Sequence, residues 1–256
     1  MFSAHLQSRA RNRRRIMYVG FVLALCCALA AVGSGVGYRL GIWHFVTGFQ
    51  ILKWSFVLAV VTLLVLLVCI FFIQTKTRMD VTVALLGILI CLAMIYIPYS
   101  WKRMLDAHPY IHDITTDIED PPTFVIVGQI RTPDHHSIEY EGREVTEEQV
   151  KAYPDLETLV LEKNLEEVFG IAERVLTEMG LVIVSADINE GRIEATATTF
   201  LFGFKDDMVI RFKSFNEDSI AIDVRSQSRV GKSDLGQNAK RIRQFMNALK
   251  LEHTKH

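Results

Sequence analysis

Hydrophobic positions follow two regimes along this chain. Up to residue 101 they come in long runs, roughly Ile16–Val36, Trp54–Ile73 and Val81–Ile97. Each reaches or approaches the ~20 residues that a helix needs to cross a hydrocarbon core. Beyond that point the pattern is periodic. Leu165, Val168, Phe169, Ala172, Val175, Leu176 and Met179 recur at helical spacing and are followed by Gly180, which predicts an amphipathic helix and its stop. Alternation then takes over. Val182, Val184, Ala186 and Ile188 share one face of a first strand, which turns at Asn189–Glu190–Gly191. Ile193, Ala195, Ala197 and Thr199 share a face of the second, Met208, Ile210 and Phe212 of the third, and Ile220, Ile222 and Val224 of the fourth. Leu235, Ala239, Ile242, Met246 and Leu249 give a final helix its stripe. The expected fold is α+β: three N-terminal transmembrane helices, then a two-layer sandwich of a four-stranded antiparallel sheet and two helices.

The intervening polar stretch predicts little regular structure. Pro109, Pro121 and Pro122 interrupt it, and Asp113, Asp117, Glu119 and Asp120 are scattered through it. The expected organisation is a basic tail (1–15), a three-span anchor (16–101), an extended lead-in wrapping the domain (102–164) and an α+β core (165–256). A lead-in with so few apolar residues has no core of its own. Its acids lack the alternation and central glycine of a calcium loop, so they read as solvated. His108 and His112 are separated by Pro109, and His135 and His136 are adjacent; both pairs read as surface residues and no metal is expected.

Charge sets the orientation. Arg9, Arg11, Arg13, Arg14 and Arg15 precede the first run, and Lys76 and Arg78 lie between the second and third, whereas only Arg39 and Lys53 mark the first loop. The positive-inside rule then puts the N-terminus in the cytoplasm and, with three spans, the C-terminal domain outside it. A cleaved signal peptide would share the arginines and the small residues Ala28–Ala31, but the apolar core is long and two more runs follow. Gly33, Ser34, Gly35 and Gly37 resemble a small-residue packing stripe, and equally a helix end.

The chain has 256 residues and a formal charge of −1, which is a cancellation. The first 101 residues contain one acid, Asp80, while from Lys102 onward 28 Asp or Glu outnumber 19 Lys or Arg. The balance gives no reason to expect nucleic acid as a partner. All four cysteines lie in the apolar runs, so thiol chemistry in the polar domain is excluded.

The chemistry-bearing motifs are few. There is no nucleophile elbow, metalloprotease helix, Walker loop or dinucleotide fingerprint, and no cofactor is expected. Asp206 and Asp207 are adjacent and so point to opposite faces of a strand, which rules them out as an acid/base pair. The informative stretch is Ser219–Leu249. Its strand carries Asp223, Arg225, Gln227 and Arg229 opposite the core side, and Asp207, Arg211 and Lys213 share that face on the preceding strand. A simple hairpin would set Arg211 beside Asp223 and Asp207 beside Arg225 as cross-strand ion pairs. After Arg229, Gly231 permits a sharp turn and Ser233 is a good N-cap. Six basic residues and one acid, Asp234, lie between Arg225 and Arg243. Arg211, Arg225, Arg229, Gly231, Lys232, Ser233, Asn238 and Arg241 are therefore the candidate residues for binding an anion or a partner. The bland reading, ion pairs and plain capping with Asp234 filling the helix terminus, stands beside it.

Four pieces carry a resemblance. Asp113–Asp117 with Asp120–Pro121–Pro122, the turn Tyr153–Pro154–Asp155, Gly203–Asp207 and the long run Arg225–Gly236 resemble the domain-of-unknown-function family numbered fourteen ninety-nine, found in bacteria and plastids. The resemblance implies domain limits and an envelope setting, and no activity or catalytic residues. The expectation is a non-enzymatic, integral envelope protein of a bacterial inner membrane, multi-pass, with its N-terminus cytoplasmic and its domain periplasmic. Its partners would be the bilayer and an envelope protein or an anionic lipid head group. A hydrolase or lipid-modifying enzyme with a site assembled from distant residues is the alternative.

Overall fold

The computed structural model describes residues 2–72 and 77–253, with side chains from Arg14 to Glu252. Ile73, Lys76 and the side chains of Arg9, Arg11 and Arg13 lie outside the described residues. The chain divides into two compact units. The first comprises residues 1–103 with the turn Phe200–Gly203; the second comprises 104–199 and 204–256.

The first unit is built from α1 (Phe2–Arg39), α2 (Phe45–Phe72) and α3 (Arg78–Ala107). Three segments are long and apolar enough to span a membrane: Arg14–Arg39, Phe45–Phe72 and Arg78–Ala107, of 26, 28 and 30 residues. At ~1.5 Å per residue these reach about 40 Å, the hydrocarbon core plus part of the headgroup region. The helices exceed the apolar runs because flanking polar residues continue the same backbone ladder. Close approach rests on small residues. A Cβ on Gly20 or Gly87 would stand 2.9 or 2.8 Å from the Leu66 side chain, and one on Gly48 would stand 2.8 Å from Ser34 O. Trp43 Nε1 donates to Ser34 O at 2.9 Å, closing the α1–α2 turn against the small-residue end of α1. Asp80, the single acid of this region, is buried and accepts from Arg14 Nε (2.6 Å), Tyr18 OH (3.1 Å) and Thr77 N (3.0 Å). A carboxylate at the first turn of α3 completes the helix terminus and has a cation beside it.

The second unit contains β1 (Asp113–Thr115), α4 (Ile126–Ile130), α5 (Arg143–Ala152), β2 (Leu159–Leu161), α6 (Leu165–Glu178), β3 (Val182–Asp187), β4 (Arg192–Thr198), β5 (Lys205–Asn216), β6 (Ser219–Ser228) and α7 (Gln237–His253). The sheet is antiparallel with six strands, where the sequence predicts four. Its order is β1-β6-β5-β4-β3, with β2 also pairing β6. The two additional strands share the free edge of β6: β1 pairs with Arg225–Gln227 and β2 with Ile220–Ile222. Each has three residues, too short to show a period.

Helices α6 and α7 cover one sheet face. Asn164 caps α6 by accepting from Glu167 N at 2.9 Å, and Val168, Ala172, Val175 and Leu176 turn inward. They meet Ile193, Ala195, Met208, Ile210, Ile222 and Val224 from the sheet, with Ala239, Ile242, Phe245 and Leu249 from α7. Each such aliphatic side chain contributes roughly 1.5–3 kcal/mol by leaving water. The phase read for β4, β5 and β6 is the observed one. That of β3 is not. Ile183 joins this core, Val184 lies among the cluster on the other face, and Val182 is exposed. A register shift between Ile183 and Ser185 resets the pleat, and three consecutive apolar residues carry no phase of their own. Leu235 also leaves the predicted stripe: it has φ 55° and precedes α7.

The second face is buried as well. The segment from Thr116 to Tyr140 crosses it, with Phe124 and Val127 packed on Val209 and flanked by Ile138 and Val184. All ten residues of β6 are buried as a result.

Candidate functional site

Strand β6 sends alternate side chains into two different environments. Toward the helices it presents Ile220, Ile222 and Val224, then Ser226 and Ser228. The two serines meet Asn238, which is fully buried at the start of α7. Ser226 Oγ donates to Asn238 Oδ1 (2.8 Å), and Asn238 Nδ2 donates to Ser228 Oγ (3.1 Å) and His112 O (2.9 Å). One amide thus ties α7 to β6 and to the residue preceding β1. Arg241 lies beside it, donating to Ser226 Oγ at 3.0 Å and to Asp206 Oδ2 at 2.7 Å.

Toward the other face the same strand presents Asp223, Arg225 and Gln227, with Arg229 just past its end, and none of them is exposed. Arg225 is 1 % exposed. It forms a two-pronged pair with Asp113 (Nε–Oδ1 2.9 Å, Nη2–Oδ2 2.7 Å) and donates to Ile138 O at 2.9 Å. Its guanidinium carbon lies 5.0 and 5.4 Å from the ring centroids of Phe124 and Tyr140. Planar stacking with a bidentate carboxylate is what arginine supplies and lysine does not. Gln227 continues the network, donating to Asp113 Oδ2 (3.0 Å) and accepting from Arg131 Nη1 (2.6 Å).

Asp207 is the second centre and is fully buried. Arg229 grips it with Nε and Nη2 at 2.8 and 2.9 Å, Arg131 with Nε and Nη2 at 3.0 and 2.8 Å, and Thr196 Oγ1 donates at 2.7 Å. Asp207 stands opposite Gln227, not beside Arg225. Arg211 stands opposite Asp223 as the hairpin predicts, and in an antiparallel pair that register forces the 207–227 pairing. Arg211 reaches Asp223 and Asp117 at 2.9 Å and Asp120 at 3.0 Å. Glu194, also fully buried, accepts from the amides of Val125 (2.8 Å), Ile126 (3.1 Å) and Val127 (2.7 Å), filling the N-terminus of α4.

The turn after β6 completes the candidate set. Gly231 has φ 92°, where a side chain would be strained, and it is exposed together with Lys232. Ser233 Oγ accepts from Leu235 N at 3.3 Å, but the cap of α7 is Asp234. Its carboxylate accepts from Gly236 N (2.8 Å) and Asn238 N (2.7 Å). Burial pushes the Asp234 carboxyl up, against those two amide bonds. The amides that would receive an external anion therefore already hold an internal one. Of the eight residues singled out in the sequence, Arg211, Arg225, Arg229, Asn238 and Arg241 hold the domain together from inside. Gly231 and Lys232 face solvent, with Ser233 at the margin.

Sequence reasoning placed Asp207 on the correct face but beside Arg225, and missed the other partners. Asp113, Arg131 and Glu194 lie far from the turn in sequence. So does a cluster under it. His112 is buried, and its ring lies 4.0 Å from that of His136 at an interplanar angle of 30°. Its Nε2 makes no hydrogen bond, although Glu141 Oε1 is 3.4 Å away. Burial, then the neighbouring His136, lowers the basicity of His112. His136 is held by its backbone N donating to Arg229 O (2.8 Å) and by Nε2 within 3.0 Å of Gly231 O. The sequence signal available was only that two histidine pairs flank the acidic stretch.

The family model described as a protein of unknown function, DUF1499, matches residues 113–249. That is more than half of the chain. The chain belongs to this family. No curated protein matches it. The match begins at Asp113, the partner of Arg225, and ends at Leu249, a buried residue of α7. It thus takes in all six strands and every member of the two carboxylate centres, and leaves α1 to α3 outside. The DUF1499 region is attached in this protein to three candidate membrane helices.

Proposed function

We propose that this DUF1499 protein is a non-enzymatic, membrane-anchored binding module of the cell envelope, with its α+β domain on the extracytoplasmic side of a bacterial inner membrane. The orientation is supported by the arginines that precede and begin the first span, among them Arg14 and Arg15 at the start of the described side chains. The observation that carries the binding reading is the state of the buried carboxylates. Asp113, Asp206, Asp207 and Asp223 each face an arginine within 2.9 Å, and Glu194 holds a helix terminus. Groups committed in this way specify a structure; an acid/base catalyst needs a proton that can leave and a substrate that can reach it. The strand and turn with the most specific sequence therefore build a rigid edge that offers Gly231, Lys232 and Ser233 to a partner. An envelope protein or an anionic lipid head group is the partner that the exposed cation Lys232 would favour.

The test is crosslinking and co-purification of the intact protein from its native membrane, wild type against Lys232→Glu. That substitution touches none of the buried pairs. Loss of one protein or one lipid class in the variant supports the reading, and an unchanged set of companions refutes the turn as the contact surface. A reporter fused after Trp101 that is active only in the cytoplasm would overturn the orientation. The observation that favours an enzyme instead is the convergence of His112, His136 and Glu141.

A further inference from the structure

We propose that His112, His136 and Glu141 form a binding site for a divalent transition metal of the zinc class. Each offers one nitrogen or oxygen, and the three ligand atoms lie within 4.8 Å of one another. Two imidazoles and a carboxylate are a donor set suited to zinc and its neighbours and poorly suited to calcium or magnesium, which take oxygen. Bonds of about 2.0–2.1 Å in a tetrahedral shell set ligand atoms ~3.4 Å apart, so closure on a metal requires a contraction of about 1.4 Å at most. Glu141 can supply it, since its side chain is 43 % exposed and its Oε1 already stands 3.4 Å from His112 Nε2.

The two histidines are the fixed part. His112 is anchored through its own carbonyl, which accepts from Ser228 N at 3.0 Å and Asn238 Nδ2 at 2.9 Å. His136 is anchored through its amide on Arg229 O and its ring on Gly231 O. A carbonyl that orients a ligating imidazole through one nitrogen and leaves the other its lone pair is the usual outer partner of a metal-bound histidine. The independent sign of a ligand is His112 Nε2. It is a buried nitrogen, on a side chain 6 % exposed, and it points into the cluster with no hydrogen bond. An unpaired polar atom inside a domain whose other buried polar groups are nearly all paired marks a place where a partner belongs. Three protein ligands leave a fourth position, on the Glu141 side, for water or for a donor from another molecule. This site is independent of the Lys232 surface and stands or falls without it.

The experiment uses the full-length protein in detergent, free of any added histidine tag and stripped with a chelator. Zn2+ is titrated in competition with a chelating dye, and Co2+ is loaded in parallel for its visible absorption. The expected result is one Zn2+ per chain and Co2+ bands of four-coordinate intensity. Affinity should fall more than about 100-fold in His136→Ala and about tenfold in Glu141→Gln, and stay unchanged in His135→Ala, whose ring bonds Thr132 N instead. His112→Ala is avoided because its ring is part of the buried structure. A folded wild type that binds no stoichiometric Zn2+ overturns the proposal. So does binding of equal strength in His136→Ala, or a loss in His135→Ala as large as that in His136→Ala.

Discussion

The two faces of the sheet are buried to a similar degree by opposite means. On the helix side, Ile210, Ile222 and Val224 meet the stripes of α6 and α7, and polar groups gather at the end of β6, where Ser226 and Ser228 bond Asn238 and Arg241 pairs with Asp206. On the other side an irregular segment with two adjacent prolines covers Arg225, Arg229, Asp207 and Gln227, and almost every donor finds an acceptor. The first arrangement is stabilised by area removed from water and tolerates exchange of one aliphatic residue for another. The second gains little net energy, because desolvating the charges offsets most of their attraction, but each of its members depends on the others. Alternation of residue type thus does not say which face of a strand meets water. It says which face is covered by regular elements and which by whatever else the chain supplies.

The largest effect should come from importing the chemistry of one face into the other. Ile222→Asp places a carboxylate with no counter-ion beneath α6 and α7, and the expected outcome is loss of any cooperative thermal transition of the domain. Detection of a folded variant with a transition near that of the wild type would mean that this face admits water.

Next in size is Asp207→Ala. It strands two buried guanidinium groups, Arg131 and Arg229, and should cost about 3–5 kcal/mol in denaturant unfolding. Replacing all three by apolar residues of similar length should recover most of that loss, since the charges then vanish together. A triple variant no more stable than Asp207→Ala would show that the network contributes net energy beyond mutual neutralisation, and the contrast between the faces would narrow.

The helix face was largely legible because one residue in two, or three in seven, repeats over lengths that a period needs. Where the repeat fails, the reading fails: Val182–Ile183–Val184 has no phase, and β1 and β2 have three residues each. The charged face was legible as chemistry and not as place. Asp223, Arg225, Gln227 and Arg229 alternate as an exposed strand would, and nothing local reveals that Asp113 and Arg131 come from the lead-in to cover them. The glycine at 231 was readable as a turn, whereas the choice of Asp234 over Ser233 as cap depends on a single residue of offset. That choice yields a prediction of intermediate size. Asp234→Ala should cost about 0.5–2 kcal/mol and Ser233→Ala much less, in the same unfolding assay. The reverse ranking would move the start of α7.

The smallest effect isolates burial from chemistry. Arg243 and Asp155 form a two-pronged pair, 2.6 Å at both prongs, of the same type as Arg225 and Asp113. Its side chains are 37 % and 54 % exposed, against 1 % and 0 % for the buried pair. Hydrogen bonds from Arg243 hold the Asp155 carboxyl below the usual carboxylate range. A depressed folded value means that the pair's contribution is present above the unfolded value near pH 4 and is lost as pH falls through the folded one. At neutral pH, Asp155→Asn should therefore cost only about 0.2–1 kcal/mol, and the difference from wild type should shrink below pH 4 and in 1 M salt. Asp113→Asn should cost several times more and be insensitive to salt, because no ion reaches it. If the two variants lose equal stability and respond equally to salt, the segment over Arg225 opens readily in solution. The second face would then be a lid rather than a wall.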